Sequence, residues 1–192
     1  MSAGAVDDGG DPLLVLVVAG TAAMGGAGLR LVSALANATE ALDVALAVGR
    51  AADDEVARLR AGDIDVAVDA PPAWFATNRA RASVVVVVGP DAGARFAPAL
   101  DETQPQTAVV YDMSGPGTDD HVADRRAEVA LLRRAQVVLA PSAAAARFAR
   151  EVAPTAHVVV AAPGTPDLER ALAQALAQVG VALPDAAFAL PP

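Results

Sequence analysis

Two side chains stand where layered α/β proteins collect their chemistry, at the junction of an apolar run and the loop that follows it. Asp112 comes after Thr107-Ala-Val-Val-Tyr111, and Ser142 comes after Val137-Val-Leu-Ala140 and Pro141. A carboxylate at a strand end can accept a hydrogen bond or a proton from a substrate hydroxyl, and it can equally cap the next turn. Ser142, ahead of an Ala-rich stretch, is an N-cap by every local rule, although its hydroxyl and the free N–H groups beside it also suit an anion. His121 sits among Asp119, Asp120 and Asp124. A neighbouring carboxylate could orient it as a general base, against the plainer reading of a solvated loop histidine. The acids themselves read as helix caps rather than ligands of a divalent cation, and no metal site is expected. His157, at the start of an apolar run, reads as structural. Trp74 and Phe75 read as aromatics covered by a loop, with stacking against a sugar or a lipid as the alternative.

A third candidate is backbone rather than side chain. Gly20-Thr-Ala-Ala-Met-Gly-Gly-Ala-Gly28 follows an apolar run and precedes a helical stretch. Glycines such as Gly25 and Gly26 let N–H groups approach a phosphate or a sugar hydroxyl at the positive end of the next helix. The segment matches neither specific phosphate motif: Gly26-Ala27 stands where a P-loop needs Lys-Ser/Thr, and the dinucleotide spacing is absent. A glycine-eased turn is the competing reading.

These groups need a scaffold, and the apolar runs define one. Leu13–Ala19, Leu42–Val48, Ile64–Asp69, Ser83–Val88, Thr107–Tyr111, Val137–Ala140 and His157–Ala161 read as seven strands without alternation, as strands covered on both faces do. Between and after them, helices are expected over Leu29–Ala38, Ala51–Arg60, Trp74–Arg81, Ala92–Leu100, Val122–Arg134, Ser142–Val152 and Asp167–Val179. The valine run Ser83–Val88 must lie in mid-sheet, because an exposed edge of that composition would aggregate. A period of about 20 to 25 residues per strand signals βαβ units. The fold class is therefore α/β, a doubly wound, mainly parallel sheet in a Rossmann-like three-layer sandwich, with its ligand cleft at the C-terminal ends of the strands. The expected organisation is a flexible leader over 1–12, a single domain over 13–180 and a tail over 181–192.

Composition removes several classes of function. The 192 residues suit one domain with a proper core, yet aromatics are only 3%, so small and branched side chains must fill it. A net charge of -9 makes nucleic acid an unexpected partner. All 14 basic residues are arginine, which excludes lysine chemistry such as Schiff bases, and the absence of cysteine excludes thiolates and disulfides. The acidic leader is no signal peptide, Leu13–Ala19 is too short to cross a bilayer, and a cytoplasmic protein without a transmembrane segment is expected.

Three stretches carry a family resemblance. Gln106-Thr-Ala-Val-Val-Tyr-Asp112, then Arg125-Arg-Ala-Glu128 with Leu131-Leu-Arg-Arg-Ala-Gln-Val-Val-Leu-Ala-Pro-Ser142, and Val158-Val-Val-Ala-Ala-Pro-Gly164 are in question. In order and spacing, across roughly Leu13 to Thr165, they resemble the N-terminal, acceptor-side domain of GT-B glycosyltransferases of the retaining, glycogen-synthase-like kind. Gly25-Gly26 stands where that family has its glycine pair. The resemblance implies acceptor contacts at the glycine pair and after Asp112. It also implies no tightly bound cofactor, and a sugar nucleotide as co-substrate held mainly by a second Rossmann domain. The family's acidic and basic donor-gripping pairs have no counterpart in this chain, so a donor-domain protein or a homo-oligomer is the partner implied, with a sugar or glycoconjugate as acceptor. The family's catalytic histidine also lacks a clear match, and His121 is carried over in its place. The alternative is a non-catalytic Rossmann-like binding module that associates through an apolar stripe at Leu168, Leu172, Leu176 and Leu183. An independent nucleotide-dependent enzyme fits least, given the missing lysine and fingerprint glycines.

Overall fold

The computed structural model describes residues 13–19, 42–49, 51–89, 92, 107–113, 121–161 and 166–181. The seven apolar runs form seven strands: β1 (Leu13–Ala19), β2 (Leu42–Val48), β3 (Asp65–Val68), β4 (Ala82–Val88), β5 (Ala108–Asp112), β6 (Val137–Ala140) and β7 (His157–Val160). Five helices are described: α1 (Asp53–Ala61), α2 (Pro72–Arg81), α3 (His121–Arg134), α4 (Ala143–Val152) and α5 (Pro166–Gln178). The helices expected over Leu29–Ala38 and most of Ala92–Leu100 lie outside the described residues, as do the leader and nearly all of the tail.

All seven strands join one sheet in the order β3-β2-β1-β4-β5-β6-β7, and every pairing is parallel. Alternate residues of a strand point to opposite faces, so strands covered on both sides must be apolar at every position. That is the reason for the uninterrupted valine and leucine runs. Val15 to Val18 and Val84 to Val87 are each exposed by 1% or less, and β4 lies between β1 and β5 as its composition demands. The two edge strands, β3 and β7, have only four residues each, which limits the unpaired backbone they present.

Two apolar layers sandwich the sheet. Val15, Val17, Leu46, Val86, Val110 and Leu139 face α1 (Val56, Leu59) and α5 (Leu172, Leu176). Leu14, Leu16, Val85, Val109, Tyr111 and Val138 face α2 (Phe75), α3 (Leu131, Leu132) and α4 (Ala149). Leu172 and Leu176 are thus core residues, exposed by 1% and 0%, and not an exposed docking stripe. The spacing of four that marks them is the buried seam of a covering helix; the side chains of Leu168 and Leu183 lie outside the described ones.

Local chemistry sets the helix ends. Asp53 and Asp54 open α1 and Arg58 and Arg60 close it, each sign matched to the partial charge of its helix end. Gly62 follows, its N–H donating to the carbonyls of Arg58 and Leu59. Pro72 occupies the first turn of α2, where its missing N–H costs nothing. Two boundaries differ from expectation by one residue in ways that touch the site: Asp112 is the last residue of β5, and His121 opens α3.

Where β5 and β6 begin, Gln136 ties three strands together. Its N–H donates to Val109 O at 3.0 Å, its side-chain Oε1 accepts from Val109 N–H, and its carbonyl accepts from His157 N–H at 2.8 Å. Gln136→Ala leaves the Val109 N–H without that acceptor, and urea unfolding is expected to show a loss of about 1–3 kcal/mol, whereas Gln136→Glu retains an acceptor and most of the stability.

Candidate functional site

Register places Asp112 with some precision. Cα pairing runs laterally from Val68 through Val48, Ala19 and Val88 to Asp112, then on to Leu139 and Val159. Paired residues of parallel strands point to the same face, and Val48, Ala19 and Leu139 belong to the layer under α1 and α5. Asp112 is therefore a single carboxylate in an otherwise apolar row at the C-terminal rim. It is 3% exposed, one of three buried polar residues among those described.

The row crosses the point where the sheet changes direction. β1 and β4 are neighbours, while the next strands in sequence lie outward on either side, which opens a crevice beyond their C-terminal ends. Ala19 lies two strands from Asp112, roughly 10 Å at ordinary strand spacing. Gly89 leaves β4 at a φ of +80°, a left-handed conformation that favours glycine, and so turns the chain sharply at the crevice. Gly25 and Gly26, the backbone candidates, lie outside the described residues.

One residue before Asp112 the chain reaches the other face. Tyr111 is fully buried, and its hydroxyl donates to Glu128 Oε1 of α3 at 3.4 Å. Burial raises the phenol's pKa far above its ordinary value, and the charge of Glu128, the hydrogen bond to it and the charge of Asp112 raise it further. The phenol is held neutral between two carboxylates, and it fastens the end of β5 to the helix that follows. The sequence contains both partners, but no local pattern pairs them. The signal that would have found them is the return of a crossover helix over the strand it leaves, which brings Glu128, the eighth residue of α3, above the end of β5.

Ser142 caps α4: its Oγ accepts from Ala145 N–H at 3.2 Å, and the residue is exposed beside the end of β6. His121 begins α3, at the same rim, and its side chain is outside the described ones. His157 is exposed at the opposite end of the sheet, where β7 begins, and takes no part in the rim. Phe75 is core, and Trp74 packs beside it while its Nε1 donates to the Asp65 carboxylate at 3.1 Å. Among the described residues no group of acids and histidines is arranged to hold a metal ion.

The rim is acidic. Exposed Asp53 and Asp54 open α1 there, Asp69 follows β3, and Asp112 ends β5. Among the described residues no arginine occupies the first turn of a helix or the position after a strand.

The fold is a Rossmann-like α/β sandwich around one all-parallel sheet. No protein-family profile and no curated protein sequence matches the chain. In structure it is similar to the UDP-N-acetylglucosamine 2-epimerase of Rickettsia bellii, at 12% identity and a TM-score of 0.52 over 88% of this chain and 49% of that one. It is also similar to the UDP-GlcNAc 2-epimerase of Neisseria meningitidis solved with UDP-GlcNAc, at 14% identity and a TM-score of 0.49 over 88% and 52%. The chain spans about half the length of these structures, and at such identities the likeness is one of fold. No described helix is long and apolar enough to cross a membrane.

Tyr111 is the only tyrosine, so its ionisation can be followed alone. Absorbance at the phenolate band is expected to stay flat as pH passes about 10, where a free tyrosine titrates, and to rise only with unfolding. The phenol's contribution to stability is complete below that pH; above it the unfolded chain releases the proton that the folded chain retains, so stability falls as pH rises. Tyr111→Phe should abolish the alkaline absorbance change and cost about 1 kcal/mol in denaturant unfolding.

Proposed function

We propose that this chain is the acceptor-binding half of a sugar-nucleotide-dependent glycosyl transfer, working with a donor-binding domain supplied by another chain. The observation that carries the reading is Asp112: a buried carboxylate ending a central strand, in an apolar row beside the switch point, on a rim free of described arginines. A carboxylate so placed accepts a hydrogen bond from an acceptor hydroxyl and favours its deprotonation as the new bond forms. The family resemblance assigns further acceptor contacts to Gly25 and Gly26, the Ser142 hydroxyl adds a donor one strand further along, and His121 is carried over as the second proton acceptor. The resemblance of Tyr111-Asp112, Arg125 to Glu128 and Pro163-Gly164 to acceptor-side GT-B domains supports this assignment, as does a fold shared with an enzyme named for a sugar nucleotide.

The acidic rim also bears on which part of the reaction falls to this chain. A nucleoside diphosphate brings charges that Asp53, Asp54 and Asp69 oppose, so the donor's pyrophosphate belongs to the partner domain and the neutral sugar to this one. In this reading no cofactor is bound tightly, and the sugar nucleotide is a co-substrate. The alternative, a non-catalytic module joined through its tail helix, has lost two anchors, because Leu172 and Leu176 are spent in the core.

Ligand-observed NMR with N-acetylhexosamines, short oligosaccharides, UDP and UDP-GlcNAc tests the reading. A saccharide is expected to bind the chain alone, and Asp112→Asn is expected to weaken it about tenfold with the far-ultraviolet circular dichroism unchanged. Tighter binding of UDP than of any saccharide, or saccharide affinity indifferent to Asp112→Asn, would remove the acceptor-half assignment.

A further inference from the structure

At the end of the sheet away from the rim the described residues carry more cations than anions. Each crossover helix runs back from the rim, so the helix C-termini gather where the strands begin. There α1 ends in Arg58 and Arg60, α2 in Arg79 and Arg81, α3 in Arg133 and Arg134, and α4 in Arg150. Three contacts confirm the placement. Arg60 Nη2 donates to Val66 O at 3.0 Å, Arg150 Nη2 donates to Val158 O at 3.5 Å, and Arg81 Nη2 lies 3.8 Å from Asp43 Oδ2. Each partner is the second residue of its strand.

Seven of the 14 arginines therefore stand at one end of a protein whose net charge is -9. Five of the seven are exposed, and the other two are half-buried. The described carboxylates at that end are four, Asp43, Asp63, Asp65 and Glu151. The helix dipole favours cations at each of these ends, and three of the helices carry two. Seven strands at ordinary spacing make the end roughly 30 Å wide, enough for an extended segment to cross several helix ends.

We propose that this end of the sheet docks an acidic protein segment, one that presents several Asp or Glu carboxylates in succession. Guanidinium groups pair with carboxylates through two parallel hydrogen bonds, and every cation here is a guanidinium. Nucleic acid fits less well, because none of the described aromatics is exposed for bases to stack on, and the net charge repels a long polyanion. A lipid surface fits less well too: among the described residues the exposed large apolar side chains, Val68 and Val160, end their strands at the rim and not here. The surface is separate from the acceptor rim, so the two assignments stand or fall independently.

Fluorescence anisotropy of a labelled decaglutamate peptide tests it, with a single-stranded oligonucleotide and phosphatidylserine vesicles as competing probes. The peptide is expected to bind at about 50 mM salt and to weaken as salt is raised. R133Q/R134Q and, separately, R58Q/R60Q are expected to weaken it about tenfold, while R126Q/R170Q, the same charge change at exposed sites away from that end, leaves it within about twofold. R150Q alone, folded as judged by circular dichroism, serves where a double variant unfolds, and it too must weaken binding while R126Q alone does not. Absence of peptide binding, equal effects from the control pair, or tighter binding of the oligonucleotide or the vesicles would overturn the proposal.

Discussion

The whole arrangement depends on a sheet that has no wet face. Because α1 and α5 cover one side and α2, α3 and α4 the other, a polar side chain in mid-strand would meet neither water nor a partner, and burying it so would cost several kcal/mol. The strands answer with valine, leucine and alanine at their interior positions, Asp43, Ser83 and Tyr111 being the exceptions. Polar groups are thereby driven to the two ends of the sheet, where the chain turns and backbone groups are free. Asp112 is buried and charged chemistry at the one place in β5 that tolerates it, and Tyr111, one step inside, keeps its hydroxyl satisfied only by reaching Glu128 on α3.

The same geometry made much of the fold legible in the sequence. Uninterrupted apolar runs give strands of a doubly covered sheet, and β1, β2 and β6 have the bounds that their runs imply. The central position of β4 followed from its valines alone, and Ser142 takes the capping role that its place before an Ala-rich stretch predicts. Less legible was anything that needs the crossovers closed. The bond between Tyr111 and Glu128 spans 17 residues, and the hold of Gln136 on Val109 spans 27, so neither leaves a periodic trace. Leu172 and Leu176 announced an amphipathic helix but not what its apolar side would cover; the sheet itself turned out to be the cover. The position of Asp112 at a strand end was visible, while its isolation in an apolar row emerged only with the register.

Charge follows from the same topology. Helices prefer acids in their first turn and bases in their last, a local preference worth a fraction of a kcal/mol at each end. In most folds the helices point in various directions and the preference averages out. Here parallel strands force the crossover helices to point the same way, so Asp53 and Asp54 accumulate at one end with Asp69 and Asp112, and the paired arginines accumulate at the other. A capping rule applied helix by helix becomes, among the described residues, a polarity along the strand direction.

The strand order also governs how the nascent chain meets solvent. β1 is made before β2 and pairs with it on one side, yet its other neighbour is β4, which is synthesised only after α1, β3 and α2. Until then an apolar strand without charge along its length stands at the margin of a half-built sheet, ready to accept any extended partner. Chain elongation and the arrival of Val84 to Val88 therefore set the interval during which misassembly competes with folding, and a slower ribosome lengthens that exposure.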